Sequence, residues 1–385
     1  MTHTTSSTPS SAPSAEAAPA VAPSAEAAPA VTLVDCDVHP TMTPPMLLGR
    51  LSARWRRHLE RFGRRTPVIT EIYPRARNAG MRADSWPDVP GGVPGSDPSL
   101  ARRQLLDEWD VDHAVLNCLN GQDCYDPPGF AAELNRAVND WLWEEWMEPD
   151  ARWLGAIAVP HDYPDLAVEE IERRAGDGRW VQVIFPASTQ EPLGSRKYWS
   201  IYEAAAAHGL PVAVHSGGYD THLGAGWPSF YIEEHQAFST VVQRQLVSLV
   251  CGGVFAAIPN LRIVMTEGGV AWSVALRWAL DEAWSVLREE VPELERAPSE
   301  YIRDHVWFTT QPIEEPDDPD DFVRTVEQGR LADRLLFATD YPHWDFDSPK
   351  QALPRGLAEE TRARIFAGNA RELYGLPLGD GRGPA

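Results

Sequence analysis

The sequence contains no run of about 18 apolar residues, so no segment is suited to cross a bilayer as a helix. It has no CxxC pair: Cys36, Cys118, Cys124 and Cys251 lie scattered along the chain. That is poor material for either a thiolate zinc site or a disulfide framework. Free thiols in a reducing cytoplasm are the expected state. Neither GxGxxG nor GxxxxGK[ST] occurs, so the phosphate-cradling loops of nucleotide-binding folds are missing. Positive charge is scarce, 34 Lys and Arg against 56 Asp and Glu, for a formal net charge of −22. This balance argues against nucleic acid or an anionic membrane surface as partner and leaves a small molecule as the expected substrate.

What is present divides into unequal parts. Residues 1–30 hold "APSAEAAPAV" twice in tandem, at 12–21 and 22–31. Two prolines per ten residues cannot bury a core, so a disordered tail is expected. With no basic start and no continuous apolar stretch, it does not read as a signal peptide. Residues 31–378 read as one domain, and 379–385 as a short flexible end.

Within the domain, eight short apolar runs alternate with helical patterns. The runs are 32–37, 113–117, 153–159, 180–185, 210–215, 261–266, 305–310 and 335–340. Eight such units predict parallel strands covered by helices, closed as a (β/α)8 TIM barrel. Two insertions, about 40–98 and 217–237, follow strand ends, where a barrel's active-site loops lie.

Catalytic groups of such barrels sit at the C-terminal ends of the strands. Here the first run ends in Asp37-Val38-His39, the fifth in His215, the sixth in Glu267 and the eighth in Asp340. Alternation puts Asp37 and His39 on one face, with Asp35 deeper on the same face. A lone histidine at a strand end is ordinarily a hydrogen-bonded structural residue. Two imidazoles and two carboxylates converging on one barrel mouth instead make a ligand set for a divalent metal.

Several motifs carry a resemblance: "DCDVHP", "LLDEWDVDHAVL", "IYEAAAAHGLPVAVHSGG", "PNLRIVMTEGGVAW", "LLFATDYPHWDFD" and "RIFAGNARELYGL". On these, residues 31–375 resemble the amidohydrolase superfamily, and within it the branch related to aminocarboxymuconate-semialdehyde decarboxylase. The resemblance implies one divalent ion, Zn²⁺ ahead of Mn²⁺, held by Asp37, His39, His215 and Asp340, and a homodimer. No fourth-strand lysine is present to bridge two metals. The resemblance also implies that Asp340 takes a proton from a metal-activated water beside His215; Glu267, at the end of the sixth run, is a further catalytic candidate on its own chemistry.

The sequence departs from that branch at Glu267, where the decarboxylases usually carry a histidine. Unless an arginine offsets it, the extra negative charge disfavours a carboxylate substrate. The expected activity is therefore hydrolysis of an amide, ester or lactone, with non-oxidative decarboxylation of an aromatic or unsaturated acid as the alternative. Glu267 is expected to be ionised, aided by the dipole of the helix that follows, and to orient the nucleophile or act as a second base, with a structural salt bridge to Arg277 as the alternative role. His343, Trp344 and Trp227 are expected around the ligands or in the pocket wall, and Trp86, Phe230 and Tyr231 as further pocket aromatics or in packing between subunits.

Overall fold

The computed structural model describes residues 32–63, 77–121, 127–218 and 229–377. The segments read as tails, 1–30 and 379–385, lie outside the described residues, as do Trp227 and Cys124. Eight parallel strands form one sheet in sequential order. They are β1 (Val34–Val38), β2 (His113–Leu116), β3 (Trp153–Ala158), β4 (Trp180–Ser188), β5 (Val212–Gly218), β6 (Ile263–Thr266), β7 (Val306–Thr309) and β8 (Leu335–Leu336). Main-chain bonds from Cys36 to Phe337 (2.9 Å), Asp340 to Asp37 (3.1 Å) and His39 to Tyr341 (2.7 Å) bring β8 back against β1. The fold is a (β/α)8 TIM barrel. Among the described residues, no helix is long and apolar enough to cross a membrane.

The strands are apolar because both faces are covered: β1 and β3 are buried at every position. Val34, Cys36, Ala213, Val264 and Leu336 meet in one small cluster closed by Ala370 and Leu373 of the C-terminal helix. Val38 belongs instead to the large cluster between strands and helices.

The register of β1 against β2 shifts between Asp35 and Val38. This bulge interrupts simple alternation, as an extra residue does. Val34, Cys36, Asp37 and His39 thereby turn inward, and Asp35 does not share their face. Asp35 instead accepts from the Asp37 amide (3.1 Å), the Thr339 amide (3.0 Å) and the Thr339 hydroxyl (2.6 Å), tying β1 to the end of β8. Burial pushes its carboxyl up to about 7.

Of the first insertion, Pro44–Arg50 and Ala53–Phe62 are helices. Gly95, at φ +77, packs against the His39 carbonyl where any side chain would collide, and accepts from the Thr41 amide at 2.8 Å. The helix Tyr231–Cys251 starts inside the stretch read as the second insertion.

Candidate metal centre

The inward ends of β1, β5, β6 and β8 bring together Asp37, His39, His215, Glu267 and Asp340. His39 Nε2 lies 3.3 Å from Asp37 Oδ1 and 2.7 Å from Asp340 Oδ1. His215 Nε2 lies 3.4 Å from both Asp37 Oδ2 and Glu267 Oε2. The second ring nitrogens are already engaged. His39 Nδ1 donates to the Asn117 carbonyl (3.0 Å) and His215 Nδ1 to the Ser216 carbonyl (2.6 Å). This tautomer leaves each Nε2 lone pair aimed into the cluster, the arrangement a metal-binding imidazole needs.

Whether the residues fit a cation is decided by what lacks a partner. Asp37 Oδ2, His39 Nε2, His215 Nε2 and Asp340 Oδ2 are all buried without an aligned hydrogen bond, despite their mutual proximity. Buried polar atoms are rarely left so. Ligand atoms of Asp37, His39 and His215 lie within 4.8 Å of one another, as do those of His39, Asp340 and His343. The group is suited to a divalent cation.

The protonation states point the same way. Burial works against the Asp37 carboxylate, but the charges of His39 and His215 outweigh it and hold it well below its ordinary range. Asp340 is likewise lowered, the cost of burial being outweighed by His343 and His39. Both imidazoles are raised, because Asp37 overcomes their burial. Protons here stand where a cation would, and metal binding would displace them.

Glu267 differs from expectation. Its backbone is left-handed, φ 55, fixed by Thr309 Oγ1 on its amide (3.0 Å) and Ser216 Oγ on its carbonyl (2.5 Å). Burial and the neighbouring Asp340 charge push its carboxyl up to about 7, rather than favouring ionisation. The amides at the start of the following helix are taken by another carboxylate. Glu314 accepts from the Val270 and Ala271 amides and occupies the N-terminus of the helix Trp272–Leu287. Arg277 bonds to the Gly329 carbonyl, not to Glu267.

His343 donates from Nδ1 to Asp340 Oδ1 at 2.6 Å. Trp344 is 52% exposed, and its indole donates to the Tyr231 hydroxyl at 2.9 Å. Phe230 and Trp86 are also exposed rather than buried in a pocket. His235, which sequence reasoning passed over, pairs with Asp345 at 3.1 Å beside Trp344. Asn117 was also missed, although it ends β2 just as the ligands end their strands; its amide donates to Asp37 Oδ1 at 2.8 Å.

A strand-end cluster of this kind on this barrel defines a class. The family model described as amidohydrolase matches residues 34–376, and the chain belongs to that family of enzymes. It is 28% identical over 331 residues to a gamma-resorcylate decarboxylase of Rhizobium radiobacter, covering 77% of this chain and 94% of the relative. A gamma-resorcylate decarboxylase of Polaromonas sp. (strain JS666 / ATCC BAA-500) is 27% identical over 323 residues, covering 78% and 94%. A crystal structure of a dihydroxybenzoic acid decarboxylase from Polaromonas sp. JS666, with bound manganese and the inhibitor 2-nitroresorcinol, superposes with TM-score 0.62 at 20% identity. That match covers 91% of this chain and 98% of the other.

These relatives overturn hydrolysis as the expected activity. The charge argument for it treated Glu267 as an isolated anion. In the structure Glu267 faces His215, and its carboxyl is raised rather than fixed as a charge. The repulsion invoked against a carboxylate substrate is therefore weakened.

Proposed function

We propose that the protein is a divalent-metal-dependent, non-oxidative decarboxylase of a hydroxylated aromatic acid. The observation that carries this is the near full-length likeness to two decarboxylases, in a chain whose strand ends converge as a metal-type cluster. Asp37, His39, His215 and Asp340 would hold one ion. Two carboxylates in the set, and the manganese in the related crystal structure, support Mn²⁺ over Zn²⁺. The bound ion supplies positive charge for the substrate's oxygens.

The chain's own residues do the rest. The reaction adds a proton to the ring carbon bearing the carboxylate. The C–C bond then breaks, its electron pair returns to the ring, and CO₂ leaves, so no oxidant or reductant is needed. Glu267 would carry that proton: its side chain is 9% exposed, against 0–4% for the ligand side chains, so it is less enclosed than they are. Ser216 and Thr309 hold its backbone in place.

The test is turnover by the Mn²⁺-loaded protein on a panel of hydroxybenzoates that includes 2,6-dihydroxybenzoate. Stoichiometric CO₂ and the matching phenol are expected from at least one member. A metal-saturated protein that releases CO₂ from none of them overturns the reading.

A further inference from the structure

Behind Asp37 a single line of hydrogen bonds crosses the barrel to its far end. The Tyr374 hydroxyl donates to Gln182 Oε1 at 2.8 Å. Gln182 Nε2 donates to Asn117 Oδ1 at 2.9 Å. Asn117 Nδ2 donates to Asp37 Oδ1 at 2.8 Å and to the Cys36 carbonyl at 3.1 Å. Asn117, Gln182 and Asp37 are each fully buried. Tyr374 ends the helix Asn369–Tyr374 and comes from the "NARELYGL" stretch, which the site has so far not used.

The line has one possible sense. An ionised Asp37 only accepts, so Asn117 must present its amide NH₂ to it and turn its oxygen to Gln182. Gln182 must then present its own NH₂, which leaves Gln182 Oε1 in need of a donor, and the Tyr374 hydroxyl supplies it. Reversing Gln182 would set one amide oxygen against another. The line occupies Asp37 Oδ1, and the oxygen it leaves without a partner, Oδ2, is the one turned to His215 Nε2.

We infer that Tyr374, acting through Gln182 and Asn117, is a positioning residue that orients the Asp37 carboxylate for a divalent cation. The inference rests on the metal reading of the cluster. Outer partners of metal ligands carry such effects, on the scale of about 10–100-fold in affinity. The C-terminal helix thereby does more than close the barrel: its last residue supplies the donor that completes the amide line behind a ligand.

The experiment measures Mn²⁺ dissociation constants by calorimetry on chelator-stripped protein, with the metal-free Tm alongside. Tyr374→Phe should weaken binding about tenfold, at the lower end of that range because two amides intervene. Gln182→Leu should weaken it at least as much, and the double variant no more than Gln182→Leu alone, since both cut one line. Tyr202→Phe is the control. It also removes a buried hydroxyl, one that donates to the Leu193 carbonyl at 2.8 Å, and should cost stability but leave Mn²⁺ affinity at the wild-type value. Wild-type affinity in Tyr374→Phe, or additive losses in the double variant, would overturn the inference. Wild-type protein that takes up no Mn²⁺ would instead retire the metal reading, so the two failures are told apart by the parent protein.

Discussion

Glu267 and Asp340, at φ 55 and φ 59, are both non-glycine residues held in the left-handed region at strand ends. Such a backbone costs on the order of 1–3 kcal/mol per residue and is kept only where the surroundings impose it. For Glu267 they are the Thr309 and Ser216 side chains on its amide and carbonyl. Glu267→Gln preserves size and backbone while removing the exchangeable proton. If Glu267 carries the proton, the variant should keep its metal by elemental analysis while decarboxylation slows by at least about a hundredfold. Near-normal turnover would remove Glu267 from the chemistry. At this scale the sequence was readable where a residue type declares itself. An Asp-x-His at a strand end, a histidine and an aspartate at two others are chemically conspicuous. Asn117 and Gln182 were not, because an amide inside an apolar run, as in "WVQVIF", gives no sign of what it bonds.

The strands themselves were legible because a parallel barrel buries both of their faces, which leaves short β-branched runs between polar helices. Where the reading went astray, side chains take over part of the backbone ladder. The run 335–340 forms regular sheet only at Leu335–Leu336. Beyond it, the Ala338 amide donates to the Thr310 hydroxyl at 3.1 Å and the Thr339 amide to Asp35, bonds no periodicity reveals. The bulge in β1 is hidden likewise, and it is why Asp35 holds the barrel seam instead of sharing the ligand face. Thr339→Val keeps the shape and deletes the hydroxyl that donates to Asp35 Oδ2. A buried carboxyl oxygen then loses its donor, at a cost of about 1–3 kcal/mol. Chemical unfolding of the metal-free variant should show that loss. A stability equal to the wild type would mean that the seam does not depend on this bond.

For the molecule as a whole, the acid limb of stability follows from groups the fold keeps neutral. His161, just past the end of β3, is fully buried beside the Phe185 ring; among the described residues neither ring nitrogen has a hydrogen-bond partner, the Asp162 carboxylate standing 3.9 Å from Nε2. Burial lowers its pKa from 6.5 to about 4. Between those values the unfolded chain binds a proton that the folded protein refuses, so the folded state loses stability as the pH falls. Linkage puts this loss at about 2 kcal/mol between about pH 7 and about pH 5. His161→Leu has similar bulk and nothing to protonate. It also removes two unsatisfied polar atoms, which should leave the fold no less stable near neutrality. With both proteins stripped of metal, so that the ligand cluster contributes equally, denaturant unfolding should give a shallower acid decline for the variant. The gap between the two curves should open below about pH 6.5 and level off near about pH 4, where His161 protonates in the fold as well. Parallel curves would show that His161 is solvated or paired in solution, and that acid sensitivity originates elsewhere in the barrel.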